Sequence, residues 1–182
     1  MPLASLHDAP ITRARLITPV NAPAPRLRSS DPAMQLMTDF AADAPHVVAP
    51  DRPIEHALSD MVGFGVRLLL VVRDGSVLGI VTSYDLMGER PIQFLQASAR
   101  DGAHPRHVDV QVGDVMTTMA DTRPLNYRWV LHATVGEVAG QFRNRPDSHL
   151  LVVEDGPAAG EVSLRGVFSR TRLERQLEKR PR

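Results

Sequence analysis

The sequence predicts a mixed α/β (α+β) fold made of two β-α-β-β-α units, and three recurrences predict it. A glycine, two apolar residues and a hydroxyl residue occur twice, as Gly79-Ile80-Val81-Thr82 and Gly166-Val167-Phe168-Ser169, each time where a strand runs into a helix. A Met-Thr pair ends a short helical stretch twice, at Met37-Thr38 and Met116-Thr117. A continuous apolar run followed by Asp-Gly also occurs twice, closing on Asp74-Gly75 and Asp155-Gly156. Self-similarity of this kind marks one supersecondary unit used again.

Residues 1–32 carry six prolines and little apolar period, so they read as an extended or disordered N-terminal arm. Its arginines, Arg13, Arg15, Arg26 and Arg28, suit an acidic partner or open solvent alike. The first unit is placed at 33–97, a linker at 98–107 and the second unit at 108–182. Residues 33–40 read as a short helix with Leu36 and Met37 inward, and His46-Val47-Val48 as a short strand. Asp51 suits a helix N-cap and Pro53 the first turn; Ile54, Ala57, Leu58 and Met61 then share one face, until Gly63 and Gly65 end the helix. Residues 66–72, Arg67 apart, are apolar on both alternating faces, which indicates a buried strand. Asp74-Gly75 turns it back into 77–81 as a hairpin. A helix opens at Ser83, is interrupted by Gly88 and Pro91, and continues through Ile92, Phe94 and Leu95.

The linker holds His104 and His107, but Pro105 lies between them and no carboxylate or cysteine completes a metal-ligand set. In the second unit Val130-Leu131 stands for Val47-Val48. Thr134 and Glu137 form a capping box, opening a helix whose inward residues are Val135, Val138, Ala139 and Phe142. Residues 150–153 are the buried strand, Glu154-Asp155-Gly156 the turn, and Leu173 and Leu177 face inward from the last helix. The two glycine-led junctions are 87 residues apart and the two Met-Thr pairs 79, which puts about eight extra residues in the second copy, near 119–127.

Composition removes several function classes. The chain has 182 residues, 43% apolar, enough for one compact domain or two small ones. Lysine plus arginine equals aspartate plus glutamate at 21 each, which speaks against a dedicated nucleic-acid binder and leaves little net repulsion between copies. With no cysteine, disulfides, thiolate catalysis and cysteine metal sites fall away, in keeping with a reducing compartment. No apolar run approaches membrane-spanning length and the N-terminus lacks an apolar signal region, so the expectation is a cytoplasmic protein off the membrane. The seven histidines show no catalytic spacing with a nucleophile and a carboxylate, so an enzyme is not expected.

The stretch 79–85 carries the candidate site. Thr82-x-x-Asp85 has two readings. It is the form of a capping box, which closes a helix start without a ligand. It also presents a hydroxyl, backbone N–H groups and a carboxylate whose oxygens accept hydrogen bonds from neighbouring hydroxyls such as a ribose diol.

Taken together, the two units, each entered through Met-Thr and each closing on Gly-h-h-(Thr/Ser) with h apolar, resemble a tandem pair of cystathionine-β-synthase (CBS) domains, of the kind found as stand-alone bacterial proteins. The resemblance covers about residues 33–178. It implies that the units pack through their sheets about a pseudo-twofold axis, leaving two clefts that take adenosine nucleotides (AMP, ADP, ATP) or S-adenosylmethionine as regulatory ligands, with no cofactor required. It also implies a homodimer and a sensor that does no chemistry, acting here on an unidentified regulated protein. Carried over by position, Thr82 and Asp85 match the signature, Val47, Val48 and Pro50 line the base pocket, and Arg67 and Leu68 begin the second strand, with Arg67 toward phosphate. In the second copy Ser169 matches but Arg172 stands in the aspartate's place, and a guanidinium, which only donates, cannot accept from a diol. One conventional nucleoside site is therefore expected. Arg172, with Arg170 nearby, suits either a phosphate chain bridging from the first site or solvent, with Arg170 paired to Glu174. Leu70 and Leu151 stand where the family often has proline. The alternative function is a structural or interaction module that keeps the fold without the ligand.

Overall fold

The computed structural model describes residues 26–156 and 161–177; the expectation for residues 1–25 lies outside them. In chain order the elements are β1 (Thr38–Asp39), β2 (Val47–Val48), α1 (Ile54–Phe64), β3 (Leu68–Arg73), β4 (Ser76–Thr82), α2 (Ser83–Met87), α3 (Arg90–Arg100), α4 (Val112–Val115), β5 (Thr117–Thr118), β6 (Leu125–Asn126), α5 (Tyr127–Val130), α6 (Val135–Arg143), β7 (His149–Asp155), β8 (Val162–Ser169) and α7 (Arg170–Gln176). They form two four-stranded sheets, ordered β2-β3-β4-β5 and β1-β8-β7-β6.

The edge strands are exchanged. β1 is the first strand of the first unit in sequence yet pairs antiparallel with β8 of the second, and β5 is the first strand of the second unit yet pairs antiparallel with β4 of the first. The glycines of the repeated signature make this pairing physically possible. A Cβ on Gly79 would collide with the Thr117 carbonyl oxygen, and one on Gly166 with the Thr38 carbonyl oxygen. The exchange extends to the cores. Ala33, Leu36 and Met37 are buried with Val135, Val138, Phe142 and Phe168 of the second unit. Val110, Val112 and Val115 are buried with Ile54, Ala57, Met61 and Val81 of the first. A third cluster, Leu70 and Ile80 against Leu151 and Val167, joins the two sheets face to face. The two leucines that stand in place of proline are thus part of the contact between units. An Arg165 fork clamps β1 onto β8, with Nε donating to Asp39 Oδ1 (2.9 Å) and Nη2 to Oδ2 (3.0 Å). This pairing, with help from the Ala41 amide, holds the Asp39 carboxyl below its usual range.

Four local expectations are corrected. Residues 33–40 do not form one helix: a single 3-10 turn at Ala33–Gln35 gives way to β1, because the ladder with β8 takes the backbone from Thr38 onward, with the Phe40 amide donating to the Arg165 carbonyl (2.9 Å). Asp51 does not cap α1. The helix starts at Ile54 with Pro53 before it, and the Ile54 amide finds the Val110 carbonyl of the exchanged segment instead (3.1 Å). Val130-Leu131 is not a strand. β6 lies five residues earlier, and Asn126 caps a short helix by accepting from the Arg128 amide (2.8 Å). The extra length of the second copy accordingly falls in α5 and in the β7–β8 connection at 156–161, not at 119–127; the first copy joins β3 to β4 through Asp74-Gly75, both at positive φ. Residues 26–32 lie on the second unit: the Leu27 amide donates to the Gln176 carbonyl (2.8 Å), and the Gly136 amide to the Ser29 carbonyl (2.9 Å).

Candidate functional site

β4 delivers Thr82 to the start of α2, where both readings of the motif can be weighed. The capping box is formed: the Asp85 amide donates to Thr82 Oγ1 (3.3 Å), and the Thr82 amide donates back to Asp85 Oδ2 (2.8 Å). The Thr82 hydroxyl also donates to Oδ2 (2.7 Å). That leaves Oδ1, which meets Arg90 Nε at 3.1 Å. The Asp85 side chain is 13% exposed. Arg90 is held in turn by Nη1 donating to the Val115 carbonyl (2.7 Å). A carboxylate has about four lone-pair sites, so Oδ1 keeps room for one more donor.

Asp85 and Thr82 open onto a cleft of about 440 Å³ between the units. Its apolar wall includes Ile80, Leu150 and Leu151; its polar wall includes Thr117, Asp121, Arg90, Arg123, Ser148 and Arg170. Arg170 is committed to structure. Its Nη2 donates to the Phe142, Arg145 and Asp147 carbonyls, and its guanidinium stacks over the Phe142 ring at 5.0 Å. The sequence reading that left it in solvent or paired with Glu174 is corrected.

A second cleft, of about 630 Å³, is lined by Ala44, Pro45, His46, Arg67, Leu68, Ser169, Arg172, Arg175 and Gln176. Ser169 accepts from the Arg172 amide (3.4 Å), repeating half of the Thr82 cap, while the Arg172 side chain swings to donate to Thr38 Oγ1 (3.0 Å). Arg172 is thus anchored by the exchanged strand.

The expected site residues therefore divide. Thr82 and Asp85 share one cleft; Arg67, Leu68, Ser169 and Arg172 share the other. Val47, Val48 and Pro50 line neither: Val47 is exposed on the edge strand, Val48 is buried in the first core, and the Pro50 carbonyl accepts from the Gly113 amide (2.8 Å). Two clefts are present, each built from the junction of one unit and the strand start of the other, so Arg67 and Leu68 fall beside Ser169 and not beside Asp85. The edge exchange is the cause, since it brings each junction beside the opposite unit.

Arg90, Arg123 and His149 were not anticipated. Arg90 lies five residues after Asp85, which is the signal that could have found it. His149 begins β7 and lines both clefts. Its Nδ1 is 3.0 Å from Ser148 Oγ. Burial pushes its pKa down to about 4, against the pull of Asp85 and with a smaller push from Arg67, so the ring is neutral near pH 7. Among the described residues no cluster of His, Asp and Glu could hold a metal ion. No helix among them is long and apolar enough to cross a membrane.

Residues 34–91 match the model of the CBS domain, and the two sheets joined face to face have the fold of solved CBS-pair structures. CBSX2 of Arabidopsis thaliana in complex with AMP shares 24% identity over 80% of this chain and 94% of that one, with a TM-score of 0.54. An uncharacterized conserved protein from Pyrococcus horikoshii shares 22% over 85% and 96%, at a TM-score of 0.53. The CBS domain pair of protein MJ0100, in complex with 5′-methylthioadenosine and S-adenosyl-L-methionine, shares 16% over 80% and 94%, at a TM-score of 0.50. No curated protein matches the chain by sequence.

Proposed function

We propose that the chain is a regulatory module that binds an adenosine-containing nucleotide in the Asp85 cleft and signals to a separate protein. The observation that carries this reading is the placement of a shielded carboxylate, Asp85, beside two guanidiniums, Arg90 and Arg123, in a cleft walled by Ile80, Leu150 and Leu151. Asp85 would accept from the ribose hydroxyls, the arginines would donate to phosphate, and the apolar wall would take the base. The volume is within the usual range for small-molecule sites. Complexes of similar folds with AMP and with S-adenosyl-L-methionine support the ligand class. A ligand there would touch both units, so differential binding to two arrangements of them would be the signal. Exposed Val62, Phe64, Tyr84, Met87 and Ile92 on α1 to α3 support pairing of two copies through those helices.

The contact of Arg90 with Asp85 Oδ1 favours a second reading, in which the ion pair has replaced the ligand and the fold serves only interaction. Calorimetric titration of the full chain with AMP, ADP, ATP and S-adenosylmethionine separates the two. Under the nucleotide reading at least one binds, adds about 2.7 kcal/mol of stability at 100 times its Kd, and is lost in Asp85→Asn. Absence of binding by all four supports the interaction reading. Binding that Asp85→Asn leaves intact removes Asp85 from the site.

A further inference from the structure

We propose that the Arg172 cleft is a separate site for a small soluble polyanion of the pyrophosphate class, held by Arg67, Arg172 and Arg175 with no grip on a sugar. The three guanidiniums line one cleft of about 630 Å³. None of them pairs with a carboxylate among the described residues, although the cleft wall includes Asp43. Concentrated like charge without internal neutralisation is unfavourable in a concave site and attracts an anion from solution. The contrast within the molecule is direct. Where the other junction carries Asp85, an acceptor, this one carries Arg172, a pure donor. Arg172 is also positioned: its one hydrogen bond to Thr38 Oγ1 fixes the guanidinium and leaves its other N–H groups for a ligand.

The proposal does not depend on a nucleotide occupying the Asp85 cleft.

The test is titration of the full chain with sodium pyrophosphate at about 0.15 M salt, where diffuse attraction is largely screened. Wild type is compared with Arg67→Gln, Arg172→Gln and Arg175→Gln, with Arg73→Gln and Arg100→Gln, which are exposed and lie outside both clefts, and with Arg90→Gln, which reports any pyrophosphate taken by the Asp85 cleft. Arg67 and Arg175 are exposed, so their variants keep the fold even if loss of the Thr38 contact weakens Arg172→Gln. Each cleft variant is expected to weaken binding by about tenfold or more, the worth of one charge-assisted hydrogen bond, with Arg73→Gln and Arg100→Gln within about twofold of wild type. Three results overturn the proposal: no binding at millimolar pyrophosphate, an equal loss in Arg100→Gln, or a loss in Arg90→Gln that Arg67→Gln and Arg175→Gln do not share. Each is independent of Asp85→Asn titrated with nucleotide, so failure here and failure of the nucleotide reading are told apart.

Discussion

His149 shows what one residue changes between two copies of a unit. It opens β7 opposite Ser169, as Leu68 opens β3 opposite Thr82. Leucine there carries no charge at any pH, whereas the imidazole is half-buried with its pKa pushed down to about 4. An unfolded chain holds the same ring near 6.5. Below that value the unfolded state binds the proton and the folded state does not, so stability falls as pH drops from about 6.5 toward 4. Between pH 7 and 5 the loss from this residue is about 2 kcal/mol. Asp39 acts the other way round in a lower range: its depressed carboxyl contributes stability above its unfolded value of 3.8 and loses it below. Urea unfolding at pH 7 and pH 5 isolates His149. His149→Leu is expected to flatten the pH dependence in that window, and an unchanged slope in the variant would show that the imidazole is not the group responsible.

The exchanged edge strands rest on glycine. Gly79 faces the Thr117 carbonyl oxygen and Gly166 that of Thr38, both across antiparallel pairs with two-residue strands. The neighbour in each case is backbone, which cannot rotate away. Gly79→Ala must therefore push β5 off β4, at a cost of about 1–3 kcal/mol. Gly63 offers the internal comparison: it lies inside α1 with open space where an added methyl would point, so Gly63→Ala should stabilise by about 0.5–1 kcal/mol through helix propensity. Opposite signs in chemical denaturation are the expected outcome, and equal effects would mean that the β4–β5 contact yields easily. The same elements explain what could be read in advance. β3, β4 and α6 were legible because cap, period and turn lie within a few neighbouring residues, and the body of α1 because its apolar period does. β1 and β5 were not. Each is two residues long and hydroxyl-rich, and each exists because a partner about 130 or 40 residues away in sequence offers it a ladder. The turn at Ala33–Gln35 and the start of α1 went the same way, since carbonyls of Ala133 and Val110 take the amides that local capping would have satisfied.

For the molecule as a whole, the exchange makes two sequence units into one cooperative object. Thr82 and Asp85 could be found from their own seven-residue stretch, but which strand start faces them depends on the pseudo-twofold pairing, and no local pattern encodes that. The first core is completed by Val110, Val112 and Val115, and the second by Ala33, Leu36 and Met37. Burying each such side chain is worth about 1.5–3 kcal/mol, smaller for alanine. Three of them together rival the 5–15 kcal/mol net stability of an ordinary domain. Cutting the chain in the linker, between residues 105 and 106, should leave neither half able to fold. Residues 1–105 keep the apolar entry segment of the other core and lose their own, and residues 106–182 do likewise. Expressed separately, each half is expected to show poor amide dispersion and no cooperative melt. Mixed, they should restore a single transition at a lower Tm that rises with concentration, because assembly is then bimolecular. A cooperative melt from either half alone would show that a unit closes its core without the exchanged segment, and the two clefts would then belong to units that fold independently and meet afterwards.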